Sequence, residues 1–426
     1  MKIFITISRL IVGSLFIVSG LIKCNDSIGF SYKLNDYFAA DVLNMEFLIP
    51  YSLGLAVIIC VVEIVLGVAV IFGFKSKLST TLILLMMLFF TWLTWYTSSC
   101  LHEQELAAKL GEEFNKNCVT DCGCFGDALK LEPIESFYKD LFLLIFTIPL
   151  FIFSFRKKIP LNKPKEDIFY MSVSLVLILV FGVFVIGWWF TVLFSIVLYL
   201  LVYVLKNKMK NQWLTLLAAY FVSLGFTLYC LQHLPVKDFR PYKIGANIQE
   251  GMTTPPDAAK AVMEYTWVFN VNGEEKVIVT NGSYPDVDGE LIKVDTEEIE
   301  KGYEPPIHDF TIDSDNGDMT DYYLEAEKVL MIISYNLATA EQEGMEKIKA
   351  ISARAQQSGY EVIGLSASGD DDKAAVEKQY GLGVDFYVCD EKALKTVIRS
   401  NPGFLVLDKG TVMQKKHWND AEDLEF

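Results

Sequence analysis

The sequence predicts a polytopic α-helical membrane bundle of about seven spans, followed by an extracytoplasmic α/β domain. Three observations predict it. Residues 1–232 carry seven long apolar runs, each near the roughly 20 residues needed to cross a hydrocarbon core. The Lys and Arg residues between those runs fall in alternate loops. Residues 307–426 alternate short β-rich runs with helix-length polar stretches. Whole-chain averages, 52% hydrophobic with a net charge of −16, hide this division into a part made for lipid and a part made for water. The negative charge comes largely from the second part, and it argues against nucleic acid as a partner.

The spans are expected at 3–22, 50–73, 78–98, 137–155, 168–186, 188–205 and 212–232. The first lacks a small-x-small cleavage site and runs into Lys23-Cys24, so it reads as a retained helix rather than a removed leader. A lipoprotein-type role for Cys24 does not suit the approach Gly20-Leu21-Ile22-Lys23. The fifth and sixth spans form one run broken at Gly187-Trp188-Trp189. A single helix of that length would overshoot the bilayer, so the chain is expected to turn at Gly187 with its tryptophans at the interface.

Orientation follows from charge. Lys75 and Lys77 lie between spans two and three; Arg156, Lys157, Lys158, Lys163 and Lys165 between four and five; Lys206, Lys208 and Lys210 between six and seven. Seven spans put all three basic loops on one side, the cytoplasmic one. The loops 23–49 and 99–136, and everything after His233, then face outward. An even count would break this pattern.

In the second part, Thr266 to Asn270 and Glu275 to Thr280 flank Asn272-Gly273 as a hairpin, placed either to cap the following domain or to dock on the membrane part. Asn281-Gly282-Ser283 matches a glycosylation pattern but reads as a turn. Strands are expected at 329–335, 361–366, 385–389, 404–407 and 411–416, with helices at 340–358, 371–379 and 391–399 between them. Such alternation implies a parallel or mixed sheet.

The chemistry-bearing stretch is Cys118-Val119-Thr120-Asp121-Cys122-Gly123-Cys124-Phe125-Gly126-Asp127, in the loop between spans three and four. By the topology above, Cys24, Cys100, Cys118, Cys122, Cys124 and Cys230 gather near the outer face, while Cys60 lies within span two and Cys389 in an apolar strand as a core residue. Two readings stand side by side. In one, Cys122 and Cys124 exchange with a partner's disulfide and Cys118 or Cys100 resolves. In the other, the cysteines are staples: a Cys122–Cys124 bridge would close a strained ring, whereas Cys100–Cys118 or Cys24–Cys100 would be quiet links. The spacing Cys-x-x-x-Cys-x-Cys has no second knuckle, and His102 is the nearby imidazole, so no metal site is assigned.

Residues 1–155 resemble the DoxX/MauE group of small membrane proteins. The resemblance rests on Ser8-Arg9, Gly13, Phe16, Gly20 and Lys23 in span one, Glu63-x-x-x-Gly67 in span two, and Cys122-Gly-Cys-Phe-Gly126 before span four. It implies redox work at the outer face, since DoxX relatives are connected with thiosulfate:quinone oxidoreduction and MauE relatives with maturing a disulfide-rich periplasmic enzyme. Arg9 and Glu63 are expected to pair or to line a cavity, either as a structural ion pair or as a proton- or quinone-linked site. Trp92 and Trp95, with Tyr96, would form an aromatic bed for a membrane quinone or an interfacial belt. Gly67 and Gly73 would let helices approach closely.

The lead-in His308 to Gly317 and the ending around Asn401-Pro402-Gly403 resemble the thioredoxin fold in its peroxiredoxin and TlpA-like members, over roughly the last quarter of the chain. That superfamily places its active cysteine after the first strand. Here the place is held by Ser334-Tyr335-Asn336-Leu337-Ala338-Thr339-Ala340, without a thiol. The resemblance therefore implies a domain that does no dithiol chemistry and either binds a peptide beside Pro402 or serves packing.

The organisation expected is a four-helix DoxX/MauE-like domain at 1–155, three further spans at 156–232, a linker with a hairpin at 233–306, and a thioredoxin-like domain at 307–426. The function expected is thiol–disulfide exchange, or quinone-linked electron transfer, at the periplasmic face of a bacterial inner membrane. A periplasmic client protein or peptide is the partner, and the activity would be that of a thiol–disulfide:quinone oxidoreductase assisting envelope-protein maturation. The rival is a non-enzymatic scaffold with structural disulfides and a binding domain. A transporter is disfavoured because intramembrane charges look few and no inverted repeat is evident.

Overall fold

The computed structural model describes residues 2–426 apart from Glu112, Asp121, Cys122, Cys124, Asn272 and Asn316. The chain divides into two compact units: residues 1–108, 112–240 and 416–422 form one, and 109–111, 241–415 and 423–426 the other.

Among the described residues, the first unit holds seven helices long and apolar enough to cross a membrane. They are α1 (Lys2–Asn25), α3 (Ser52–Phe72, entered through a 3₁₀ turn at Glu46–Tyr51), α4 (Ser76–Leu110), α5 (Pro133–Phe155), α6 (Pro164–Leu179, prolonged by a π turn at Val180–Val185), α7 (Phe190–Met209) and α8 (Gln212–Gln232). An additional helix, α2 (Ser27–Phe38), lies in the 23–49 loop, where no long apolar run marks it. Asp26 starts it by accepting from Gly29 N at 2.9 Å. It then buries Phe30, Leu34, Tyr37 and Phe38, a helical stripe too short to span a bilayer. Pro133 and Pro164 open α5 and α6, where their missing N–H costs nothing, and the carboxylates of Glu135 and Glu166 accept the preceding backbone N–H groups.

Two boundaries differ from expectation. α4 runs 35 residues, about 52 Å at 1.5 Å each, because Glu103 to Leu110 are strong helix formers that continue it past its apolar part. The chain does turn at Gly187, whose φ of 71° is open to glycine at no steric cost, but Trp188 is buried against Phe190 and Phe239 and only Trp189 faces out.

α1 and α3 form the centre of the bundle: 72% and 67% of their apolar windows are buried, against 22–39% for the other spans. They pack antiparallel through glycine. A Cβ on Gly67 would lie 2.7 Å from Gly13 O, and one on Gly20 would lie 2.9 Å from Cys60 O. Only hydrogen fits at such approaches, which brings the two backbones together.

The second unit contains two sheets. The smaller has the order β2-β1-β3, built from β1 (Val262–Val271), β2 (Glu274–Thr280) and β3 (Glu290–Glu300). The expected hairpin is its first half. β3 is fully exposed, with charged residues where a buried strand would alternate, so main-chain pairing with β1 holds it. Helix α9 (Ile248–Met252) precedes this sheet.

The larger sheet has the order β10-β9-β6-β7-β8-β4-β5. Its strands are β4 (Asp313–Ser314), β5 (Gly317–Asp318), β6 (Val329–Ile333), β7 (Glu361–Ser366), β8 (Phe386–Val388), β9 (Gly403–Asp408) and β10 (Thr411–His417). β6, β7 and β8 are parallel, and β9 runs antiparallel to β6 with Val329 opposite Leu407. α10 (Thr320–Glu325), α11 (Gln342–Gln357), α12 (Asp370–Tyr380) and α13 (Glu391–Val397) connect them. Every residue of β6 is buried, as befits a central strand covered on both faces. α11 turns Met345, Ile348, Ile351 and Ala355 inward at helical spacing.

Candidate functional site

The α1–α3 register decides which buried charges meet. Gly13 faces Gly67 and Gly20 faces Cys60, so Lys23 and Glu63 come together at the Cys60 level. Lys23 Nζ lies 2.6 Å from Glu63 Oε1, and Ser19 Oγ donates to Glu63 Oε2 at 3.1 Å. The ammonium also sits over the Phe90 ring at 4.9 Å and the Phe30 ring at 5.5 Å. Close by in the bundle, Asp140 of α5 is buried, with Lys139 Nζ 3.2 Å from its Oδ1 and Thr94 Oγ1 donating to Oδ2 at 3.3 Å.

The same register separates Arg9 from Glu63, which corrects the pairing drawn from residue type. Arg9 lies opposite Ile71, eight residues or about 12 Å along α3 from Glu63. Its Nε donates to Val70 O at 2.9 Å, and its Nη2 to Ile71 O at 2.8 Å and Asn162 Oδ1 at 2.7 Å. Tyr170 stacks on the guanidinium, 4.1 Å from the ring centre. Next to it, Lys206 Nζ lies 2.5 Å from Asp167 Oδ2 and 2.8 Å from Asn162 O. This second cluster ties the helix ends of α1, α3, α6 and α7 and closes α3's exposed carbonyls, a structural role. The buried charges are thus more numerous than the apolar runs suggested. The burial of Lys23, Asp140, Asp167 and Lys206 was not legible because each interrupts or borders an apolar segment without breaking it.

Two cysteines, Cys24 and Cys60, lie on the helices that carry the first cluster. Cys24 and Cys60 are fully buried and belong to one apolar cluster. Cys60 lies within its span as expected, and it shares that cluster with Cys24 of α1. Cys230 is buried too. Cys100 does not end its helix as expected but lies within α4, bonded to Cys118 with Cα atoms 5.7 Å apart. Among the described residues the Cys100–Cys118 staple is formed, and it removes Cys118 from any Cys-x-x-x-Cys-x-Cys ligand set. Cys122 and Cys124 lie outside the described residues. Their neighbours are placed: a Cβ on Gly123 would lie 3.3 Å from Lys33 Cγ of α2, and Phe125 is buried 5.4 Å from the Phe181 ring with Lys139 over its face.

Trp92 and Trp95 are exposed on α4, 45% and 51%, unlike the buried Arg9 and Glu63. Trp92 stacks on Tyr96 at 6.0 Å, and Tyr96 OH donates to Val42 O at 2.8 Å. The structure does not unite the four residues Arg9, Glu63, Trp92 and Trp95 in one site.

In the second unit, the turn after β6 is filled by polar contacts. Ser334 Oγ donates to Asn401 Oδ1 at 2.7 Å, Asn401 Nδ2 to Asn336 O at 2.8 Å, and Leu337 N to Ser368 Oγ at 2.9 Å. Asn401 precedes Pro402 through a cis peptide. Cys389 is buried, and burial pushes its thiol up to about 12, so it stays protonated and inert.

Compared with known proteins, the family described as methylamine utilisation protein MauE matches residues 1–102, that is α1 to α3 and most of α4. No curated protein and no solved structure matches the chain.

Proposed function

With the MauE-like segment as premise, we propose that this membrane protein performs thiol–disulfide exchange at the periplasmic face of a bacterial inner membrane. In this reading a client dithiol becomes a disulfide while a Cys122–Cys124 disulfide is reduced. The two electrons and two protons then pass to a membrane quinone, which becomes the quinol. The observation that carries the reading is the Cys100–Cys118 disulfide, which ties down the loop bearing Cys122 and Cys124 and belongs in an oxidising compartment. Orientation is supported by the cytoplasmic-type loops. Lys75 N bonds the Gln212 side chain, and Lys206 reaches Asn162 O, so the three basic connections meet at one end of the bundle. Residues 307–426, read as a thioredoxin-like domain without its dithiol, would recognise the client. Trp92 and Trp95 would sit in the interface, where a quinone ring would reach them.

A second reading has a specific observation behind it. The Ser334–Asn401–Asn336 network stands where such domains carry thiols, as suits a binding module on a disulfide-stapled scaffold.

Maleimide trapping of thiols in living cells tests both, using wild type, Cys122→Ser and Cys124→Ser. Mixed disulfides with another protein, enriched in one Ser variant, are the expected result. Permanent full oxidation, unchanged by either substitution, overturns the exchange reading in favour of the scaffold.

A further inference from the structure

We propose that Cys24 and Cys60 form a second redox couple, a dithiol buried between α1 and α3 that closes to a disulfide when a quinone of the membrane accepts its electrons. The inference rests on the redox reading above and names a relay that no loop cysteine supplies.

Four observations carry it. First, the two cysteines come from different spans yet are both fully buried in one apolar cluster. Second, the backbones approach closely where a bridge would need them: the Gly20 position lies against Cys60 O, and Cys24 is one helical turn from Gly20 on the same face. Third, Lys23 adjoins Cys24 in sequence and Glu63 lies one turn from Cys60, so a buried ion pair joins the same turns of α1 and α3 that carry the two cysteines. Buried charges in a span are costly and mark working sites more often than packing. Fourth, Phe125 from the loop carrying Cys122 and Cys124 packs in the same cluster as Cys24 and Cys60. In the step itself, two S–H bonds break and one S–S bond forms between Cys24 Sγ and Cys60 Sγ. The two electrons and two protons reduce the quinone to quinol. A reduced loop dithiol then reopens the bridge by exchange and is itself reoxidised.

The test uses the full chain in detergent, reduced, then exposed to a short-chain benzoquinone and alkylated under denaturing conditions. The expected result is joint loss of the alkylated Cys24 and Cys60 peptides and the appearance of one Cys24–Cys60 cross-linked peptide, reversed by dithiothreitol. In Cys24→Ser, Cys60 is expected to stay alkylatable after the same treatment. Wild type alone suffices if that variant fails to fold. Full alkylation of both thiols after quinone overturns the proposal, as does closure by copper phenanthroline without closure by quinone. Closure of this bridge in protein that traps no client would overturn the exchange reading and leave the couple standing. Client trapping with both thiols unresponsive to quinone would overturn the couple alone.

Discussion

Lys23 and Glu63 meet across the α1–α3 interface at 2.6 Å, with 2% and 3% of their side chains exposed. Neither would tolerate losing the other, because a lone charge in that cluster has no water to turn to. Lys23→Met or Glu63→Leu alone is expected to cost about 3–5 kcal/mol, whereas the double substitution costs less than either. A double-mutant cycle on thermal unfolding of the detergent-solubilised protein measures the coupling, and additive losses would contradict it.

The glycine contacts beneath that pair should be equally unforgiving. A Cβ on Gly67 meets Gly13 O and Ile17 Cγ1 at 2.7 Å, and a backbone oxygen in the middle of a helix has little room to yield. Gly67→Ala is expected to lose about 1–3 kcal/mol, or to fail to accumulate. Gly54→Ala, with no atom within 4 Å of the new methyl, is the matched control and should be close to neutral.

Removing the Cys100–Cys118 bridge frees a loop closed over a separation of 18 residues. Cys100→Ser should lower stability by about 3 kcal/mol through the greater freedom of the unfolded chain. Dithiothreitol should lower wild type by a similar amount and leave Cys100→Ser unchanged, as melting curves with and without reductant would reveal.

A pH dependence follows from His417. Burial lowers its pKa to about 4 from 6.5, with Asp420 opposing and His233 adding to the shift. The folded state therefore stays neutral where the unfolded chain takes up a proton. This contribution is fully present above pH 6.5 and is lost as pH falls towards about 4. The loss should be about 2–3 kcal/mol, a tenfold change in proton affinity being worth about 1.4 kcal/mol. Stability measured from pH 7 to pH 4 should show this fall in wild type and a flatter profile in His417→Gln.

The seven spans and the strand–helix alternation from Val329 to His417 were legible in the chain because run length and period are local quantities. Val329 to Ile333 is five apolar residues in a row, and α11 repeats Met345, Ile348, Ile351 and Ala355 at helical spacing whatever surrounds them. α2 was illegible because its apolar stripe of Phe30, Leu34, Tyr37 and Phe38 is amphipathic rather than long, and β3 because its main-chain pairing leaves no burial pattern.

The candidate site divides the same way. The cysteines stood out by their spacing, and Arg9 and Glu63 were marked by the resemblance to the DoxX/MauE group together with their charge in apolar runs. Which of them meet was settled in three dimensions, where backbone contact at Gly13, Gly20 and Gly67 sets the stagger of two antiparallel helices. One turn of slippage would have changed every partner, sending Lys23 away from Glu63 and Cys24 away from Cys60. That stagger is a property of two surfaces fitting together, and neither segment carries it by itself.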